Sequence, residues 1–126
     1  MAARQRSLKS AAREIGAELA EWGKVALLET TGRRSSRAIK TAIGFVEGEA
    51  GSINVAAGSE ASVWALNLRA NPHCRVTIGG RVGRYLASEL DEGADRSQVL
   101  VQLVLKYGTP AERLGRGPVF RLLPDD

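Results

Sequence analysis

Between Thr30 and Thr41 the chain reads TTGRRSSRAIKT, with four cations, five hydroxyls, one glycine and no acid. A glycine-containing turn lets successive backbone N–H groups converge on one oxyanion, and arginine clamps phosphate or carboxylate oxygens in bidentate fashion. Residue types and spacing therefore offer two readings of this stretch: a solvated basic turn, or an anion cradle. The mixing of hydroxyls with cations favours the cradle without naming the anion.

Other chemistry is thinly represented. There is one cysteine, Cys74, and one histidine, His73. A lone histidine cannot build a histidine-based zinc site, and side chains of neighbouring residues on an extended chain point apart, which argues against a Cys–His nucleophile. Neither G-x-x-x-x-G-K-[ST] nor a strand–helix G-x-G-x-x-G occurs, which excludes the P-loop and dinucleotide-fold routes to phosphate binding. No acid pair stands out as a glycosidase dyad and no acidic cluster has metal-site spacing.

These residues need elements to hold them. Leu8, Ala11, Ala12, Ile15, Leu19 and Trp22 recur at helical spacing, which predicts an amphipathic helix over 5–23 ending at Gly23. Lys24–Thr31 and Ile39–Glu47 read as strands on either side of the basic stretch. A turn at Gly48–Gly51 leads to a short strand at Ser52–Ala57. Ser62 caps a short helix, VWALNLRA, that stops before Asn71–Pro72. Cys74–Ile78 and Val82–Leu90 form a hairpin across Gly79–Gly80. Asp91 opens a helix with Leu100, Leu103, Val104 and Tyr107 on one face, closed by Gly108 and Pro110, and Pro118–Leu123 is the last strand. Hairpin connections dominate and strand–helix alternation is absent. The expected class is mainly β with flanking helices (α+β), an antiparallel barrel or sheet rather than a doubly wound one.

At this level of detail the chain resembles a known family. LLETTGRRSSR, AIGFVEG, VAAGS and WALNLRANPHCRVTIGG, in that order, are similar to the deazaflavin-dependent nitroreductases and quinone reductases, whose members typically read TTGR[KR]SG and W-x-x-NL-x-ANP. The likeness runs from about Leu27 to Gly80. It implies a split β-barrel of the FMN-binding-protein type with coenzyme F420 in a groove beside it, FMN being the alternative flavin. Carried over by position, Arg33, Arg34 and Ser35 meet the phosphate and acidic tail, with Ser36, Arg37 and Lys40 completing the basic set. Thr41 and Ala42 line the ring, Ala57, Gly58 and Ser59 approach from the opposite loop, Trp64 walls the pocket, and Tyr107 faces the substrate as the candidate catalytic group. The chain departs from the pattern at Ser36, where the family has glycine, and at Glu60, where a lysine is common. Ala38 and Ile39 replace the usual arginine, and Ala65 an aromatic residue. From its residues alone, Asn67 reads as a capping or turn residue bonding its own backbone.

Composition sets the frame. The chain has 126 residues, 44% hydrophobic and 25% charged, with net charge +4. That length fits one domain, 1–126, which needs no disulfide to fold. The basic balance calls for an anionic partner. Nucleic acid ranks last, because only 5% of residues are aromatic and no stacking platform is evident. No leader or spanning segment is read, so the expected setting is cytoplasmic, with at most peripheral membrane contact through the N-terminal helix. The resemblance implies a homodimer and hydride transfer to an electron-poor acceptor such as a quinone, nitroaromatic or activated alkene. The alternative on the same barrel is a non-catalytic protein that binds a flavin, a deazaflavin or an apolar ligand.

Overall fold

The computed structural model describes residues 23–108 and 116–125. The amphipathic helix expected over 5–23 lies outside them, save for Gly23. Alternating apolar residues make Ala26–Thr31 the first strand, β1: Ala26, Leu28 and Thr30 are buried and the residues between them half-buried. β2 (Ala38–Ile43) follows, then β3 (Val46–Glu47), a single 3₁₀ turn at Glu49–Gly51 and β4 (Ile53–Ala56). Helix α1 spans Val63–Ala70 from Ser62 to Asn71, so the local signals of the sequence place both of its ends, although the Ser62 side chain makes no capping bond. β5 (His73–Ile78) and β6 (Arg81–Glu89) form the expected hairpin. Helix α2 covers Ala94–Tyr107, starting three residues after Asp91 because Gly93, at φ 152°, sets the turn into it. β7 (Val119–Pro124) closes the described chain.

All seven strands join one antiparallel sheet in the order β2-β1-β5-β6-β7-β4-β3. Its two edge strands, β2 and β3, are consecutive in sequence and separated by only Gly44 and Phe45. An open sheet whose edges are tied by two residues must curl until they meet, which gives a split barrel with its seam between β2 and β3. The strand expected over Ile39–Glu47 is thus two strands at opposite edges of the sheet.

Among the described residues two apolar clusters form the core. Inside the curl, Leu28, Val55, Val76, Phe120 and Leu122 pack against Trp64, Ala65 and Leu68 of α1, and the rings of Trp64 and Phe120 lie 6.0 Å apart. Outside it, Val99 and Leu103 of α2 cover Val46, Ala56 and Val119. Both faces of the β3-β4-β7 half are therefore buried, which is why β4 is buried at every position. On β2-β1-β5-β6, by contrast, the outer face carries Lys40, Glu29, Arg75 and Arg84 in one row.

Candidate functional site

The basic stretch forms a closed loop between β1 and β2. The Gly32 N–H donates to the Arg37 carbonyl at 2.8 Å, and the Ser36 N–H donates back to the Gly32 carbonyl at 2.9 Å. The Ser35 hydroxyl accepts from the Arg37 N–H at 3.2 Å. This turn is made possible by Ser36 adopting φ 59°, a left-handed conformation that glycine enters without cost and other residues enter at about 1–2 kcal/mol. Ser36 is the position at which the resembling family carries glycine, so the backbone geometry accounts for that preference.

With those bonds made, the backbone N–H groups of Arg34 and Ser35 at the tip have no acceptor among the described residues. Arg33, Arg34, Arg37 and Lys40 are exposed and none forms an ion pair with an acid among the described residues, although Lys40 stands opposite Glu29 in the β1–β2 register. A donor-rich, acid-free tip of this kind matches a phosphodiester or carboxylate tail, because charge-assisted bonds to guanidinium and N–H groups are the strong ones. Beside the loop lies a cleft of about 440 Å³ whose walls include Glu29, Ser36, Ala38, Arg75, Arg84 and Asp125, so two acids line it and, of the expected cofactor residues, Ser36 alone reaches it.

The loop is not free-standing. Asn67 of α1, buried to 1% exposure, donates from Nδ2 to the Thr30 hydroxyl at 3.2 Å. Its Oδ1 accepts from both the backbone N–H and Nη1 of Arg33, each at 3.3 Å. Asn67 therefore bonds across the fold, to residues more than thirty positions earlier. Reading the residue by its local propensity missed this, since only its backbone carbonyl takes the local role, accepting from the Asn71 N–H at 2.8 Å.

The other expected site residues fall in different places. Thr41 pairs with Leu28 and is half-buried on the inner face, whereas Ala42 pairs with Leu27 and is exposed on the outer face. The pleat sends the two side chains to opposite sides of the edge strand. Ala57 is buried, while Gly58 and Ser59 are exposed. Their backbone packs against Gly117 so tightly that a Cβ there would stand 2.6 Å from the Ala57 carbonyl oxygen and 2.7 Å from that of Ser59. Trp64 is part of the inner core. Glu60, an acid near the loop, is paired with Arg69 at 3.2 Å, and Arg69 also holds both oxygens of Glu89 at 2.8 Å. The Arg69 hydrogen bonds draw the Glu89 carboxyl below its ordinary pKa.

Tyr107 sits at the seam. Its hydroxyl donates to the Lys24 carbonyl at 2.8 Å and accepts from the Phe45 N–H at 3.0 Å. Lys106 Nζ donates to the Phe45 carbonyl at 2.8 Å. Both residues thus fasten the two-residue link between the edge strands. Cys74 is buried in the inner core and burial pushes its thiol pKa up to about 12, so it is protonated and inert at neutral pH. Among the described residues no cluster of histidine, cysteine and carboxylate side chains could hold a metal ion, and no helix is long and apolar enough to cross a membrane.

A curled antiparallel sheet with a helix inside the curl and a basic loop at its edge defines the split-barrel class of flavin and deazaflavin proteins. The chain belongs to the F420H(2)-dependent quinone reductase family, whose model matches residues 2–117. It is an F420H2-dependent reductase and its cofactor is coenzyme F420. A solved structure of an F420-H2 dependent reductase (FDR-A) is 29% identical, with a TM-score of 0.67 over 79% of this chain and 93% of that one. A structure described as a domain-swapped dimer is 26% identical, with a TM-score of 0.66 over 90% of this chain and 98% of that one. HutZ, the haem storage protein of Vibrio cholerae, is 22% identical, with a TM-score of 0.70 over 90% of this chain and 89% of that one, a likeness of fold alone. No curated protein matches.

Proposed function

We propose that the Arg33–Lys40 segment binds the phosphodiester and acidic tail of F420 and that the edge of β2 holds its ring, so that the protein reduces an electron-poor acceptor. The carrying observation is the closed loop whose two tip N–H groups and three arginines have no acid or acceptor of their own among the described residues, save the amide of Asn67 on Arg33. Arg34 and Arg37 clamp the tail oxygens, Lys40 adds charge along the strand, and the Ser35 and Ser36 hydroxyls donate to the same group. β2 is paired on one side only, so alternate N–H and C=O groups of Ala38–Ile43 face outward and match the amide-like edge of a deazaflavin. Thr41 and Ala42 flank that edge from its two faces. Ala57, Gly58 and Ser59, braced by Gly117, form the facing loop, and Trp64 stiffens the floor beneath them.

When bound, the reduced deazaflavin supplies two electrons and a proton as hydride. The protein's own work is to orient donor against acceptor and exclude water, which needs no conspicuous catalytic dyad. Tyr107, its hydroxyl proton held by the Lys24 carbonyl, acts by fixing the seam rather than by proton transfer. The acceptor class is a quinone, nitroaromatic or activated alkene, and the working form is a cytoplasmic homodimer, in keeping with the similar structure described as a dimer.

The test is oxidation of reduced F420 on adding menadione, a nitroaromatic or an activated alkene to purified protein. Saturable turnover of one of them is expected. Tight binding without turnover of any acceptor would make the protein a carrier, and preferential binding of FMN would replace the cofactor.

A further inference from the structure

Asn67 combines three features in one buried side chain. It is fixed in place, because its helix is anchored in the core by Trp64, Ala65 and Leu68 on the same turns. It bonds at both ends, with Nδ2 donating to Thr30 and Oδ1 accepting twice from Arg33. It is also uncharged. A carboxylate could accept the same two bonds from Arg33, but it would neutralise the guanidinium, whereas an amide leaves the full charge available. With one Nη1 bond made to Asn67, Nε and Nη2 of Arg33 have no acceptor among the described residues. The side chain is therefore partly immobilised while still offering its charge, which lowers the ordering cost of binding an anion.

We infer that Asn67 is the positioning residue of the anion loop: it presents Arg33, pre-oriented and unneutralised, to the acidic tail of the cofactor. This rests on the functional reading above. The role is specific to the tail, so it separates binding of the tail from binding of the ring.

The experiment measures affinity by fluorescence for two probes, F420 with its phosphate and glutamyl tail and the tail-less deazariboflavin that carries the same ring. The variants are Asn67→Asp, Asn67→Ala, Arg33→Ala and the double variant Asn67→Asp/Arg33→Ala. Asn67→Asp is expected to weaken F420 binding about tenfold or more while changing the tail-less probe less than twofold. The double variant is expected to lose less F420 affinity than the sum of the two single losses, since both changes act on the same guanidinium. A purely structural role would weaken both probes together and would overturn the inference, as would Asn67→Asp binding F420 like the wild type. Should either Asn67 variant fail to fold, Arg33→Ala decides: undiminished F420 affinity there also overturns it. Wild-type protein binding neither probe would instead overturn the functional reading itself.

Discussion

The ring of Tyr107 occupies the space that a side chain on Gly44 would need: a Cβ there would stand 3.0 Å from Cε2 and 3.2 Å from Cζ. Gly44 begins the two-residue link between the edge strands, so this contact is where α2 closes the barrel. Gly44→Ala is expected to destabilise the protein by about 1–3 kcal/mol through overpacking. Denaturant unfolding checks it, and an unchanged midpoint would show that the seam does not depend on the contact.

Tyr107→Phe removes the donor to the Lys24 carbonyl and the acceptor of the Phe45 N–H while leaving the ring. The expected cost is about 1–2 kcal/mol of stability, with turnover kept within about tenfold. A loss of turnover of a thousandfold at unchanged stability and cofactor affinity would reassign the hydroxyl to proton transfer.

Ser36→Gly relieves the left-handed backbone of the loop. A gain of about 0.5–1 kcal/mol is expected, smaller than the full strain because glycine also enlarges the entropy of the unfolded chain. For a domain of this size that is a rise in Tm of about 2–4 °C. A fall in Tm would mean that the serine hydroxyl contributes more than the backbone loses.

Gly117→Ala tests the brace behind Ala57–Ser59. Backbone oxygens at 2.6 and 2.7 Å from the added Cβ cannot give way as a side chain end would. A loss of about 2 kcal/mol or more is expected, together with weaker cofactor binding. Stability lost with affinity intact would place that loop outside the site.

Cys74 is the single cysteine of the chain and its thiol is pushed up to about 12 by burial. A group whose pKa is raised in the folded state contributes stability that is present below its unfolded pKa and lost as pH rises through the folded value. Stability should therefore fall between about pH 9 and pH 12, and fall less in Cys74→Ala than in the wild type. At pH 8 the thiol should react with a disulfide reagent only in denaturant. Rapid labelling of the folded protein would contradict the burial.

The chain announced its local features and concealed its distant ones. α1 was legible to the residue, because Ser62 and Asn71–Pro72 mark its ends within the sequence. The β5–β6 hairpin was legible from Gly79–Gly80. The break at Gly44–Phe45 was not, since IKTAIGFVE reads as one strand-like stretch and the aromatic ring packed on its glycine lies more than sixty residues away. In the candidate site, the composition of Thr30–Thr41 stood out at once, but the resemblance set Thr41 and Ala42 together on the ring, whereas the pleat sends them to opposite faces. The Asn67 bonds to Thr30 and Arg33 had no local signature, because they exist only once α1 is packed against β1.

The central claim is that the tip of the β1–β2 loop grips an anionic tail, and titration of the protein with F420 at low and high salt tests it most directly. Saturable quenching of the deazaflavin fluorescence is expected, with affinity of micromolar order that weakens as salt screens the arginines and falls about tenfold in Arg34→Ala. Quenching that does not saturate at low salt, or an affinity indifferent to both salt and Arg34, would contradict it.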